Sequence, residues 1–227
     1  MYLTKKNLEI LYMQKFLLTF ILILLSLTRG ICQDFQGVIT YKVEAKNPMP
    51  KSLPDSLFYS GNKSTLEYLV TFYYKQNKYK SVSAHGDELE VELYDPDNNR
   101  LYTYDGDEDI ASWTNTTKYI DEIIKFEKEE KTEIILGYEC QILTITSKMG
   151  KTSYYYPSEF KLDFDNYADY KHAFWCDYLQ ETGAIPLKIV FDTRINKRVL
   201  TAIEIKEKSL PDKLFKVPRF EAIVESE

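Results

Sequence analysis

From Phe35 onward, apolar positions recur at every second residue. In "FQGVITYKVE" (35–44), Phe35, Ile39, Tyr41 and Val43 point to one side while Gln36, Thr40, Lys42 and Glu44 point to the other. "LEYLVTFYYK" (66–75) carries Leu66, Tyr68, Val70, Phe72 and Tyr74 on a single face. "ELEVELY" (88–94) sets Leu89, Val91 and Leu93 inward and Glu88, Glu90 and Glu92 toward water. A period of two is the signature of a half-buried strand, whose successive side chains leave opposite faces of the sheet. "DPDNN" (95–99) has the chemistry of a turn and joins this strand to "RLYTYD" (100–105) as a hairpin.

Residues 120–131 break the period. Ile120, Ile123, Ile124 and Glu127 fall on one helical stripe, with Asp121 and Glu122 early and Lys128 and Lys131 late, as the helix dipole prefers. This spacing predicts a short helix held by tertiary packing. "TEIILGYECQILTIT" (132–146) reads as one long strand bent at Gly137, and "TSYYYP" (152–157) as another. "NYADYKHAFWCDYLQ" (166–180) runs into the loop "ETGA", from which "IPLKIVFD" (185–192) returns. "TRINKR" (193–198) then turns into "VLTAIEIKEK" (199–208), and these three segments read as a meander of antiparallel neighbours. "NPMPKSLPDS" (47–56) holds three prolines within seven residues and is an inserted loop. The sequence therefore predicts about nine or ten strands and one or two helices in a single mainly β domain, residues 34–227.

Composition supports this picture. A chain of 227 residues suffices for one domain with a substantial core. It has 19 Tyr and 12 Phe against 8 Gly and 8 Pro, a balance that favours pleated, half-buried surfaces.

The N-terminal end differs in kind. Phe16 to Leu27, "FLLTFILILLSL", is uncharged, with Lys15 before it and Arg29 after it. A membrane-spanning helix needs about 20 apolar residues, so this shorter run predicts a secretory signal peptide within residues 1–33. Met13 is an alternative start, and cleavage falls after Cys32 or Gln33. A retained anchor or a buried core helix is the competing reading. Arg29 and Ile31 do not suit lipid attachment at Cys32. The expected location is the periplasm or the outer membrane, with no membrane span in the mature chain. The first 33 residues hold four basic side chains and one acidic one, so their loss takes the net charge from −6 to −9. Such a surface repels phosphate backbones, which argues against nucleic-acid partners.

Candidate chemistry is sparse. Cys140 and Cys176 remain after cleavage, and an even pair in an exported chain predicts a disulfide. It would close a loop of about 36 residues and contribute about 3–4 kcal/mol. Two buried, unpaired thiols are the alternative. The only histidines, His85 and His172, are expected at the surface or hydrogen-bonded, and no G-x-S-x-G elbow is present. There is no G-x-G or H-E-x-x-H. "DPDNN" and "DGDED" (105–109) offer alternating oxygen ligands but lack the glycine and glutamate positions of a calcium loop. Asn62 and Asn115 fit a glycosylation pattern that matters only in a eukaryotic secretory path. The expectation is a non-enzymatic protein with no catalytic, cofactor-binding or metal-ligating residues and no cofactor. Adjacent aromatics at Tyr73-Tyr74, Tyr154-Tyr155-Tyr156 and Phe174-Trp175 supply both faces of the sheet. One face builds the core. The other lines a ligand groove or meets a helix or a partner, and the sequence does not single out its ligand-binding residues.

"FQGVITYKVE", "ILGYECQILTI", "YYYPSEF", "FWCDYLQETGAIPLKI" and the ending "KSLPDKLFKVP" together resemble the GLPGLI-type family of exported bacterial proteins and its relatives of unknown function. In such relatives a Gly-Tyr-x-Cys stretch begins a long strand, here Gly137, Tyr138 and Cys140, and a Gly-x-x-Pro-Leu turn begins a later one, here Gly183, Pro186 and Leu187. Those families are similar in fold to the LolA and LolB lipoprotein carriers. The resemblance implies a curved antiparallel sheet, a half-open barrel whose concave face holds an acyl chain or another apolar ligand, and it implies no catalytic residues. The expected partners are lipid, lipoprotein or an envelope protein. The alternative is a structural or protein-interaction component without a small ligand.

Overall fold

The structure is a computed structural model that describes residues 34–46, 65–85, 88–106, 109–193 and 197–226. The expected signal peptide, the proline-rich loop 47–56 and Asn62 lie outside the described residues, as do parts of the "DGDED" and "TRINKR" turns and the side chain of His85.

The strands are β1 (Gly37–Lys46), β2 (Thr65–Lys75), β3 (Lys78–His85), β4 (Glu88–Asp95), β5 (Arg100–Asp105), β6 (Ile110–Asn115), β7 (Ile123–Ile135), β8 (Tyr138–Ser147), β9 (Gly150–Tyr156), β10 (Lys188–Thr193), β11 (Lys197–Glu207) and β12 (Ala222–Glu225). They form one 12-stranded sheet in the order β12-β6-β5-β4-β3-β2-β1-β11-β10-β9-β8-β7. Every pairing is antiparallel except β12 with β6. Two antiparallel ladders, β2 to β6 and β7 to β10, are joined through β1 and β11 at the centre. The mainly β class and single-sheet architecture read from the sequence hold, with more strands than counted there.

Two segments depart from the sequence reading. The helix expected over 120–131 is the start of the edge strand β7, and Gly137 closes a hairpin rather than bending one long strand. Leu136 and Gly137 both have positive φ, 51° and 85°, the geometry a two-residue hairpin turn requires. β7 misleads because register shifts interrupt its alternation and its outer edge is solvated. Its charges pair as strand neighbours two residues apart, Lys125 with Glu127 and Lys131 with Glu129, each at 2.9 Å. Read along the chain, such pairs pass for a solvated helix.

Residues 166–180 are not a strand. They belong to a crossing segment of two 3-10 turns, Phe164–Tyr167 and His172–Phe174, followed by helix α1 (Trp175–Thr182). Gly183, at φ 56°, terminates α1 in the left-handed conformation, its N–H donating to the Leu179 carbonyl. "ETGA" is thus a helix C-cap, not a hairpin loop.

Both faces of the sheet are covered. One core takes Ile39, Tyr41, Val43, Val70, Tyr74, Tyr79, Leu101, Leu200 and Ala202, together with Tyr167, Tyr170, Tyr178 and Leu179 from the crossing segment. On the opposite face, Val38, Leu93 and Tyr102 pack beneath Leu210 and Phe215 of the C-terminal segment. Lys75 fastens that segment, donating to the Leu210 carbonyl at 2.8 Å and pairing with Asp212 at 2.8 Å. The inward and outward faces assigned to β4 therefore need correcting. Leu93 lies under the C-terminal segment, whereas Glu92 shares its face with Tyr94 and turns to the first core.

The sheet curves strongly. β5 and β9 stand seven inter-strand spacings apart, which in a flat sheet is about 34 Å. Leu101 of β5 and Tyr154 of β9 nonetheless line the same small cavity. The crossing segment bridges the concave side.

Candidate functional site

Tyrosine hydroxyls hold the crossing segment in place. The Tyr41 hydroxyl donates to the Pro186 carbonyl at 2.6 Å, Tyr167 to Gln76 at 2.9 Å, Tyr178 to Ala184 at 2.8 Å and Tyr154 to Ala173 at 3.3 Å. Irregular backbone cannot be buried without partners for its carbonyls, and these long side chains supply them while their rings fill the core. The hydroxyls of Tyr79 and Tyr170 bond to each other. Burial raises the pKa of Tyr79, Tyr170 and Tyr178 well above the usual phenol range, so all three stay neutral donors.

Between this segment and the sheet lies a cavity of about 190 Å³. Its strand walls are Tyr41, Phe72, Tyr74, Tyr79, Leu101, Tyr154, Ile189, Phe191 and Leu200. Tyr170, His172, Ala173 and Trp175 close it from the crossing segment. The lining is largely aromatic, and aromatic rings give a large contact area at little entropic cost.

Two charged side chains also face it, Glu92 from β4 and Arg198 from β11. The half-buried Glu92 carboxylate accepts a hydrogen bond from Ser81 Oγ at 3.2 Å, and Ser81 is its direct cross-strand neighbour. Burial raises the Glu92 carboxyl above the usual carboxylate range, with the nearby charge of Glu90 adding to the effect and Arg198 opposing it. The Arg198 guanidinium lies 4.8 Å from the centre of the Phe191 ring, its partner across the β10–β11 ladder.

The crossing segment carries strain where it meets the cavity. Ala173 and Phe174 adopt consecutive left-handed conformations, φ 51° and 60°, each costing about 1–3 kcal/mol for a residue with a β-carbon. Among the described residues, the buried His172 Nδ1 and Trp175 Nε1 make no hydrogen bond to the protein. Burial also lowers the His172 pKa below its usual value. Strain, orphaned polar atoms and an awkward carboxylate converge on this cavity, and such costs gather at functional sites.

A thermodynamic consequence attaches to Glu92. A carboxyl raised in the folded state binds its proton more tightly there than in the unfolded chain. Stability therefore falls as pH rises from the ordinary carboxyl value through the raised one. Glu92→Gln is expected to raise the melting temperature at neutral pH. The gain should shrink as pH falls through that window and vanish below it, as thermal unfolding from about pH 8 down to about pH 4 would show. A glutamate needed only for folding would give a loss instead.

The disulfide expected between Cys140 and Cys176 is not formed; both are free, buried thiols. Cys140 sits in β8, its Sγ donating to the Tyr138 carbonyl at 3.6 Å, and Cys176 lies in α1 beside Asp177 at 3.3 Å. The pairing rested on an even cysteine count in an exported chain, and the fold puts Cys140 on a strand and Cys176 on a helix, in different surroundings. Burial pushes both thiols up to about 11, which keeps them protonated and poorly nucleophilic at neutral pH. His85 ends β3 and His172 lines the cavity. No helix among the described residues is long and apolar enough to cross a membrane.

No curated protein matches the sequence. Solved structures similar to this chain include PNGF-II, at 14% identity and TM-score 0.45, where the match covers 84% of this chain and 31% of that one. They also include an uncharacterized conserved protein from Thermus thermophilus, at 10% identity and TM-score 0.47, covering 84% of this chain and 91% of that one. A third is the LolA superfamily protein NE2245 from Nitrosomonas europaea, at 12% identity and TM-score 0.37, covering 82% and 91%. This chain thus spans about a third of the length of PNGF-II. The family model of a domain of unknown function, DUF4412, matches residues 108–219, just under half of the chain, and leaves β1 to β5 outside the match.

Proposed function

We propose that this protein is a non-enzymatic binding module of the bacterial cell envelope that holds an apolar ligand, or the apolar part of one, in the cavity on the concave side of its sheet. The observation that carries this reading is the aromatic cavity itself, lined by β1 to β5, β9 to β11 and a strained crossing segment. At about 190 Å³ it exceeds the roughly 150 Å³ apolar cavity that accepts benzene, and it falls short of the roughly 300–1,000 Å³ of sites for drug-sized ligands. Its natural occupant is therefore a single ring or a short chain. A lipid or lipoprotein would place one acyl segment there, with the remainder outside.

A non-catalytic role is supported by the Tyr41 and Tyr154 hydroxyls of the lining, which are committed to backbone carbonyls, and by the two cysteines, neither of which lines the cavity, being held as thiols. Export and an envelope location rest on the N-terminal pattern of a basic flank and a short apolar run. Kinship with the GLPGLI-type exported proteins belongs to the same proposal and rests on the Gly137-Tyr138-x-Cys140 and Gly183-x-x-Pro186-Leu187 motifs.

Isothermal titration with benzene, a neutral single-ring probe of the size the cavity admits, tests the reading. Saturable binding at one site per chain, displaced by short-chain alcohols, is the expected result. Absence of saturable binding would refute it. A second reading, a protein-interaction component, has one specific observation in its favour: Ile124 and Ile134 lie 59% and 66% exposed on β7, whose outer edge pairs with no strand among the described residues. Crosslinking in the envelope, followed by identification of what β7 meets, addresses that alternative.

A further inference from the structure

A carboxylate and a guanidinium face this cavity from different strands, and they form no direct ion pair, although the Arg198 charge acts on Glu92 at a distance. Glu92 receives only the Ser81 hydroxyl, and Arg198 rests against the Phe191 ring. Among the described residues neither enters an ion pair, although both line the same space. Other charges do pair, Lys188 with Glu133 at 2.8 Å and Lys197 with Asp192 at 3.2 Å, whereas Arg100, like Arg198, rests on a ring, that of Trp113. Partly buried charges without direct partners are costly, and that cost is recovered when a ligand supplies the missing groups. Apolar and aromatic side chains line the same space, Tyr41, Phe72, Ile189 and Leu200 among them.

We infer that the cavity takes a small zwitterionic amphiphile of the α-amino-acid type, its ammonium on Glu92, its carboxylate on Arg198 and its apolar side chain against the aromatic walls. This rests on the reading of the cavity as an apolar-ligand site and narrows it to one class of head group. The charges select that class by elimination. A simple amine satisfies Glu92 but meets Arg198 with like charge. A simple carboxylate satisfies Arg198 but meets Glu92 with like charge. A molecule bearing both groups neutralises both, and its uncharged total matches the uncharged sum of the pair. The small volume suits the same class, since it accommodates one short side chain and not a multi-chain lipid.

Isothermal titration of the full chain with 2-aminooctanoic acid, octylamine and octanoate tests this. The amino acid is expected to bind at least about tenfold more tightly than either singly charged analogue, the worth of one additional charge-assisted hydrogen bond. Glu92→Gln should erase its advantage over octanoate, and Arg198→Gln its advantage over octylamine. The ranking in the unmodified protein stands even where a variant fails to fold. Equal affinities for all three compounds, or a preference for either singly charged one, would overturn the head-group assignment while leaving the apolar-ligand reading intact. Failure of all three and of the neutral benzene probe would overturn both.

Discussion

Tyr178→Ala is expected to lower the unfolding free energy by about 3–5 kcal/mol, the range for removing a large buried aromatic side chain. Tyr178 is fully buried. Its ring stacks on Tyr154 at 4.2 Å and packs on Trp175 at 5.3 Å, and its hydroxyl donates to Ala184 at 2.8 Å. It joins helix α1 both to the sheet and to the backbone that re-enters β10. The corresponding fall in melting temperature is on the order of 10 °C for a domain of this size. Tyr178→Phe separates the two contributions: the ring remains, and the unpartnered Ala184 carbonyl costs about 1–3 kcal/mol. Urea unfolding of the two variants checks both values. Near-equal losses would mean that the hydroxyl, not the ring stack, fastens the crossing segment.

Leu200→Trp is expected to abolish ligand binding at a modest cost in stability. Leu200 is buried on β11 and faces the cavity, so an indole placed there occupies the space a ligand would take. Affinity for the benzene probe should fall about 100-fold, a loss of roughly 2.7 kcal/mol. The destabilisation should stay near the lower end of the about 1–3 kcal/mol typical of overpacking, because the added atoms enter existing space. Leu210→Ala provides the contrast. Leu210 belongs to the cluster on the opposite face, so its truncation should cost about 2–5 kcal/mol and leave probe affinity unchanged. A probe that responds to Leu210→Ala and ignores Leu200→Trp binds elsewhere.

Much of the sheet was legible because its central strands obey the simplest rule. Ile39, Tyr41 and Val43 on β1, and Val70 and Tyr74 on β2, alternate and lie buried as their period requires. β4 shows where the rule runs short. Period two separates the faces of a strand but does not say which is concave, and here the C-terminal segment covers the second face. Leu93 is thus apolar without facing the first core, and Glu92, alternating with leucine and valine, reads as solvated although it lines the cavity.

The crossing segment did leave a trace. Tyr167, Tyr170, Phe174 and Tyr178 follow one another at intervals of three and four residues, and all four are buried in the first core. That spacing belongs to helical turns, yet dense aromatics and a following "ETGA" also suit a strand and its loop. The cavity itself had no local signal. Its lining comes from eight strands and one irregular segment, so residues as distant as Tyr41 and Leu200 become neighbours only through the order of the sheet. The unpaired charges follow the same logic: nothing beside Glu92 in the sequence announces Arg198.

Diffraction from a crystal of the protein held under xenon pressure bears most directly on the central claim, because xenon settles in apolar cavities independently of head-group chemistry. A xenon peak between the sheet and the crossing segment, bounded by Tyr41, Phe72, Ile189 and Leu200, is the expected result. Side chains closing that space, with no xenon among them, would contradict it.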